Sequence, residues 1–186
     1  MAAIPGDQRA DEGGDGRKEE IARAALAVVA RSGARGATLR DIAREAGYTT
    51  GVIGYYFDGR DDLIAHVHRY AHDRIGGTAG EPGQLDQLLD AWTVGGDVER
   101  AAFLLWIDWV LSDRSVGAVE DAVREILDQR RELAREALGD ALTGAPLELA
   151  VDGLLAVTEG LALHALVDGV GADPAERRAL VERVLP

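Results

Sequence analysis

Apolar residues recur at three- and four-residue steps along nearly the whole chain, and nowhere do they alternate over the length of a strand. Ile21, Ala25, Val28 and Val29 share one face of a helix predicted from about Arg17 to Ser32, which Gly33 ends. Two short helices follow within Thr38 to Arg60. Asp61 and Asp62 then open a fourth, with Leu63, Ile64, Val67, Tyr70 and Ile75 along its apolar side and Gly76-Gly77 as its stop. A loop, TAGEPG, precedes a short helix from Gln84 to Thr93 that carries Leu85, Leu88, Leu89 and Trp92. The segment from about Val98 to Leu111 is apolar nearly all round, which predicts a central helix. Three more are expected over Val116–Leu142, Pro146–Val170 and Pro174–Leu185, the breaks falling at Gly144-Ala145-Pro146 and Asp173-Pro174. The expectation is an all-α protein of about nine helices, a small reader followed by a larger helical body. Residues 1–16, rich in Gly and Asp and without apolar periodicity, are expected to form a disordered tail.

The stretch TLRDIAREAGYTTGVIGYYFDGR, Thr38 to Arg60, organises the rest. Two helices that cross steeply need a small residue at their contact, which Ala43 supplies. Their tight turn needs a residue tolerant of positive φ, which Gly47 supplies. Ile53 stands where the second helix must point back at the first, and Leu39 and Ile42 complete the small core. Thr38 can cap the first helix with Asp41 three residues on, and Thr49 or Thr50 the second. The same residues would serve an ordinary helical hairpin, but Thr50, Val52, Tyr55 and Tyr56 form an outward surface suited to a DNA groove. Of the two, the helix-turn-helix reading is favoured.

From Arg17 to about Ile75 the chain resembles the TetR family of transcriptional regulators. The carrying residues are IARAALAVVARSG, the link ARGATLRDIAREAGYTTGVIGYYF and the closing FDGRDDLI. Tyr56, Phe57 and Arg60 hold the places of that family's Tyr-Phe pair and following Lys. Tyr48 and Gly54 depart from its usual Val and Tyr. The resemblance implies a DNA-binding domain over 17–60 and a ligand-binding and dimerisation domain over 61–186. It implies a homodimer that sets two recognition helices on a palindromic double-stranded operator, most simply as a repressor released by a small molecule. Arg40, Thr50, Val52 and Tyr55 are then candidates for base edges, Gly51 for close backbone approach, and Thr38, Thr49, Tyr56 and Arg60 for phosphates. The alternative is a helical protein-binding or adaptor module that does not touch DNA.

The net charge of −13 at first argues against a DNA partner. Its distribution removes the objection. Residues 17–76 hold ten Lys/Arg against eight Asp/Glu, whereas residues 77–186 hold nine Arg against twenty-one acids. Arg31, Arg35, Arg40, Arg44 and Arg60 lie near the motif, and an acidic body discourages non-specific DNA binding. The absence of cysteine excludes disulfides and thiolate metal sites. The first residues contain no apolar stretch of a secretory signal, and no uninterrupted apolar run approaches the ~18 residues of a membrane span, so a cytoplasmic protein is expected. No serine sits in a nucleophile elbow and no phosphate-loop glycines follow a strand, so neither enzyme chemistry nor a cofactor is expected.

Three further groups carry candidate chemistry. His66, His68 and His72 put two imidazoles four apart on one helix, but no third ligand accompanies them, and no metal site is expected. Trp92, Phe103, Trp106 and Trp109 either fill the core or line a pocket for a flat or cationic molecule. Asp108 is expected to join Ser112 on a narrow polar strip. The family resemblance adds Tyr70 and Glu159 as lining. Finally, Gly153, Gly160 and Val167 stand seven apart, with His164 a turn beyond Gly160. Mid-helix Gly costs about 1 kcal/mol against Ala, so a compensating close approach is implied. Its partner is either a helix of the same chain or a second subunit, and His164 is expected at the same helix contact. The resemblance favours the second.

Overall fold

The computed structural model describes residues 8–76, 85, 88–89, 92, 95–112, 117–139, 142–168 and 173–184. Among them are eight helices and no strand. These are α1 Gln8–Gly36, α2 Leu39–Ala46, α3 Thr50–Tyr56, α4 Gly59–Arg74, α5 Asp97–Leu111, α6 Ala118–Leu138, α7 Ala145–Asp168 and α8 Pro174–Val184. The expected helix at Gln84–Thr93 falls largely outside the described residues, although Leu85, Leu88 and Leu89 are helical. The expected loop at 78–83 lies outside them altogether.

The first helix differs from expectation. It begins at Gln8 rather than Arg17, so residues 8–16 of the expected tail are helical. Adding a turn to an existing helix avoids the nucleation cost that leaves an isolated Gly-rich segment unstructured. At Gly33, φ 72 and ψ 165 break the run, as the sequence implied, and a short continuation reaches Gly36.

Two apolar cores hold the helices together. The first gathers Ile21, Val29, Ile42, Ala43, Ile53, Phe57, Leu63 and Val67 from α1 to α4, and also takes Ala101 and Leu105 of α5. The second joins Leu88, Leu89 and Trp92 to Ala134 and Leu138 of α6, Val151 and Leu154 of α7, and Val181 of α8. The principal packings are α1 on α5, α4 on α6, and α6 on α7. Thus α4 and α5 connect reader and body.

The expectation of a central α5 does not hold. Only Ala101 and Leu105 are buried, and Leu111 is 69% exposed. One face of α5 lies on α1, while its aromatic face borders a cavity rather than solid core. By length and composition, α7 alone among the described helices is long and apolar enough to cross a membrane, although Asp152 and Glu159 interrupt its apolar run. Its apolar character has another explanation in its exposed stripe, described below.

Candidate DNA-binding surface and effector chamber

The turn between α2 and α3 is built as its residues dictate. Asp41 N–H donates to the Thr38 hydroxyl at 3.1 Å, and that hydroxyl donates to the Asp41 carboxylate at 2.6 Å. One orphan N–H of the helix start is thereby satisfied, and the Asp41 carboxyl is held below its usual pKa, first by the Thr38 hydroxyl. Gly47 closes α2 at φ 74, ψ 23, its N–H donating to the Arg44 carbonyl at 3.2 Å while Tyr48 N–H reaches the Ala43 carbonyl at 2.8 Å. This is a left-handed helix cap that a side chain with Cβ resists. Thr49 caps α3, accepting from Val52 N–H at 3.4 Å. Ile53 is buried against Ile42 and Ala43. Tyr48 is anchored on α1 by donating its hydroxyl to Glu20, which raises its pKa.

With Ile53 and Phe57 buried, α3 turns its other side outward. Thr49, Thr50, Gly51, Gly54 and Tyr55 are exposed and Val52 and Tyr56 half-buried, Tyr55 reaching 82% exposure. Tyr55 meets Tyr56 edge to face at 5.0 Å between ring centres. Thr38 and Arg40 lie exposed on the adjoining turn of α2. Several nearby cations are engaged within the protein. Arg31 pairs with Glu45 at 2.6 Å, Arg44 with Asp41 at 2.6 Å, and Arg35 with Asp108 at 2.8 Å. Arg60 donates to the Ala34 carbonyl at 3.2 Å, tying the start of α4 to the end of α1. Arg40 enters none of these pairs.

A chamber opens between α4, α5, α6 and α7. Trp92, Phe103 and Trp106 line it, together with His68 and His72 of α4 and Arg130 of α6. Phe103 and Trp106 stack at 5.4 Å. The remaining candidates lie elsewhere. Tyr70 packs against the first core, and Trp109 borders a second cavity, between reader and body. Glu159 stands behind the wall, 3.7 Å from Arg130. Asp108 also lines the second cavity and accepts from Arg35, while Ser112 donates to its backbone carbonyl at 2.6 Å. His68 forms a wall of both cavities.

The sequence reading missed His68, His72 and Arg130 as chamber residues. The two histidines had a signal in their four-residue spacing, but it pointed to metal; among the described residues no group of three or more ligating side chains accompanies them. Burial pushes His68 down to about 4, and lowers His66 and His72 as well, so all three are neutral at pH 7. His66 lies instead against the Phe57 ring, at 5.3 Å.

On α7, Leu149, Ala156, Leu163 and Val167 are exposed along one face, interleaved with half-buried Gly153 and Gly160. A Cβ at Gly160 would meet nothing within 4 Å, so no described helix of the same chain closes on that glycine. His164 is exposed as well.

Residues 21–67 match the family described as "Bacterial regulatory proteins, tetR family". Over 185 residues the chain is 25% identical to the HTH-type transcriptional regulator BetI of Vibrio campbellii (strain ATCC BAA-1116), covering 91% of this chain and 90% of that one. Its fold is similar to that of a TetR transcription regulator from Haloarcula marismortui ATCC 43049, with TM-score 0.74, 20% identity, and 92% and 97% of the two chains covered. It is also similar to the multidrug binding protein EbrR complexed with ethidium, with TM-score 0.61, 24% identity, and 91% and 99% covered.

Proposed function

The chain belongs to the TetR family of bacterial regulatory proteins, and is thus a helix-turn-helix transcriptional regulator; from that premise we propose how its own residues do the work. The carrying observation is the outward face of α3, capped by Thr49 and exposed at Thr50, Gly51, Gly54 and Tyr55. Set in a major groove, Thr50 and Val52 offer methyl groups to thymine, Tyr55 a ring and hydroxyl to base edges, and Arg40 a bidentate fork to guanine. Gly51 admits the backbone close to the DNA. Thr38, Thr49, Tyr56 and Arg60 hold phosphates and fix register.

The apolar stripe of α7 meets its symmetry mate in a homodimer, through Gly153, Gly160, His164 and Val167, with α8 beside it. Two copies of α3 then reach successive grooves about 34 Å apart on a palindromic operator. Bound there, in the cytoplasm, the dimer blocks transcription. A small molecule in the chamber between Trp92, Phe103 and Trp106 presses on α4 through His68 and His72. Because α4 begins two residues after the end of α3, its displacement changes the spacing of the two readers, and a coupling of about 1–3 kcal/mol releases the DNA. A mobility-shift assay with DNA from upstream of the chain's own gene tests the reading. A specific complex is expected. Failure to bind any sequence from a random library would favour the adaptor alternative.

A further inference from the structure

The chamber wall carries more hydrogen-bond donors than it satisfies. The indole Nε1 of Trp92 and of Trp106 and the Nε of Arg130 are buried with no partner, as are the Nε2 atoms of His68 and His72. An indole N–H and a guanidinium Nε–H can only donate. A neutral imidazole has one N–H and one accepting nitrogen, and His72 is hydrogen-bonded to Gln129, so the fixed donors of the wall are the two indoles and the guanidinium. A buried donor without an acceptor is destabilising, and several on one wall define the ligand they await.

Charge narrows the choice further. Arg130 lies with its guanidinium carbon 4.6 Å over the Trp92 ring, so the protein's own cation covers that aromatic face. The Glu159 carboxylate stands 3.7 Å from it, beyond good hydrogen-bond length, and its contact with the Thr158 hydroxyl is 3.5 Å. Thr158 itself donates back to its own helix, at 2.9 Å to the Leu155 carbonyl. Burial raises the Glu159 pKa, weakening this counter-charge. The acid on the lining, Glu99, turns back over Gly96 at the start of its own helix, where a Cβ on Gly96 would lie 2.9 Å from its Oε2. The chamber thus offers an under-neutralised guanidinium and a fan of N–H donors beside stacked aromatic rings.

We infer that the effector is a flat apolar acid, its ring system lying along Phe103 and Trp106 and its carboxylate taken by Arg130 with the indole N–H groups beside it. This deepens the ligand-responsive reading above and rests on it for regulatory meaning, although the binding chemistry can be measured alone. A cationic ligand would meet Arg130 where the sequence suggested a cation–π site, and is disfavoured.

The test titrates the full-length protein, without DNA, against 2-naphthoate, 2-naphthamide and ethidium, by calorimetry and tryptophan fluorescence. Naphthoate should bind at least about tenfold more tightly than the isosteric amide, the worth of a charge-assisted bond, and ethidium more weakly still. Arg130→Met should erase the preference for acid over amide, and Arg130→Lys should keep part of it. If either variant fails to fold, the acid-to-amide ratio on the unaltered protein decides. Equal affinity for acid and amide, a preference for ethidium, or naphthoate binding weaker than about 1 mM would overturn the inference. A mobility shift run beside it separates the two readings. Naphthoate bound through Arg130 by a protein that never binds DNA leaves the ligand class standing and removes the regulatory function. Specific DNA binding with no acid preference does the reverse.

Discussion

Gly47 shows how much of the reader depends on a single backbone angle. At φ 74 an L side chain crowds the adjoining backbone, while beyond its chain neighbours a Cβ there would touch nothing within 4 Å. The cost of Gly47→Ala is therefore purely conformational, about 1–2 kcal/mol. Thermal denaturation should register that loss, and Gly47→Asn should be milder. His68 sets a second, pH-dependent term. The folded imidazole takes up its proton only near pH 4, the unfolded one near its ordinary 6.5. Between those values the unfolded chain binds more protons. Stability is thus intact above pH 6.5 and drains as pH falls toward 4, by roughly 3 kcal/mol at most. The drop in melting temperature from about pH 7 to about pH 5 should be smaller in His68→Gln than in the unaltered protein. An equal drop would show that His68 does not stay neutral in the fold. The contrast between these two residues also marks what a sequence discloses. Ala43, Gly47 and Ile53 work within one turn, so their spacing revealed them. Which histidines, indoles and arginines meet across a chamber depends on how α4, α5 and α6 pack, and no local pattern encodes that.

At the scale of an element, α7 shows the limit of apolar periodicity. Periodicity says that a face is covered, not what covers it. For α5 the pattern suggested a central helix, yet its aromatic side borders a cavity. For α7 it left two partners open, and over Gly160 no described helix of the same chain closes. That space makes a clean test. Gly160→Leu adds bulk where the subunit has room, so the isolated fold should keep its melting cooperativity. Sedimentation at low micromolar concentration should then show the dimer driven apart. An intact dimer would move the interface off this stripe. The short α3 offers another test, because one cap holds its start. Thr49→Ala should cost about 1 kcal/mol of stability.

The whole molecule carries its charge unevenly, with the acidic excess beyond residue 76 and the mildly basic reader at the other end. Within that reader, internal pairing decides which cations DNA would find. Arg44 is held by Asp41 and Arg31 by Glu45, while Arg40 stands outside these pairs. Arg40→Ala should therefore relax the preference for guanine at one position of each half-site by roughly 1–3 kcal/mol, and Arg44→Ala, held by Asp41, should leave base preference unchanged. An equal change in base preference for the two variants would mean that the pairs open on DNA. Finally, α5 belongs to two neighbourhoods at once: Ala101 and Leu105 are buried in the reader's core, while Phe103 and Trp106 line the chamber. Drift along this helix is therefore constrained from both sides, whereas Val123, Ile126 and Leu127 of α6 line the chamber without entering the first core. A biosensor retuned to a new compound should be diversified on α6, leaving α5 as the fixed wall that keeps recognition of DNA intact.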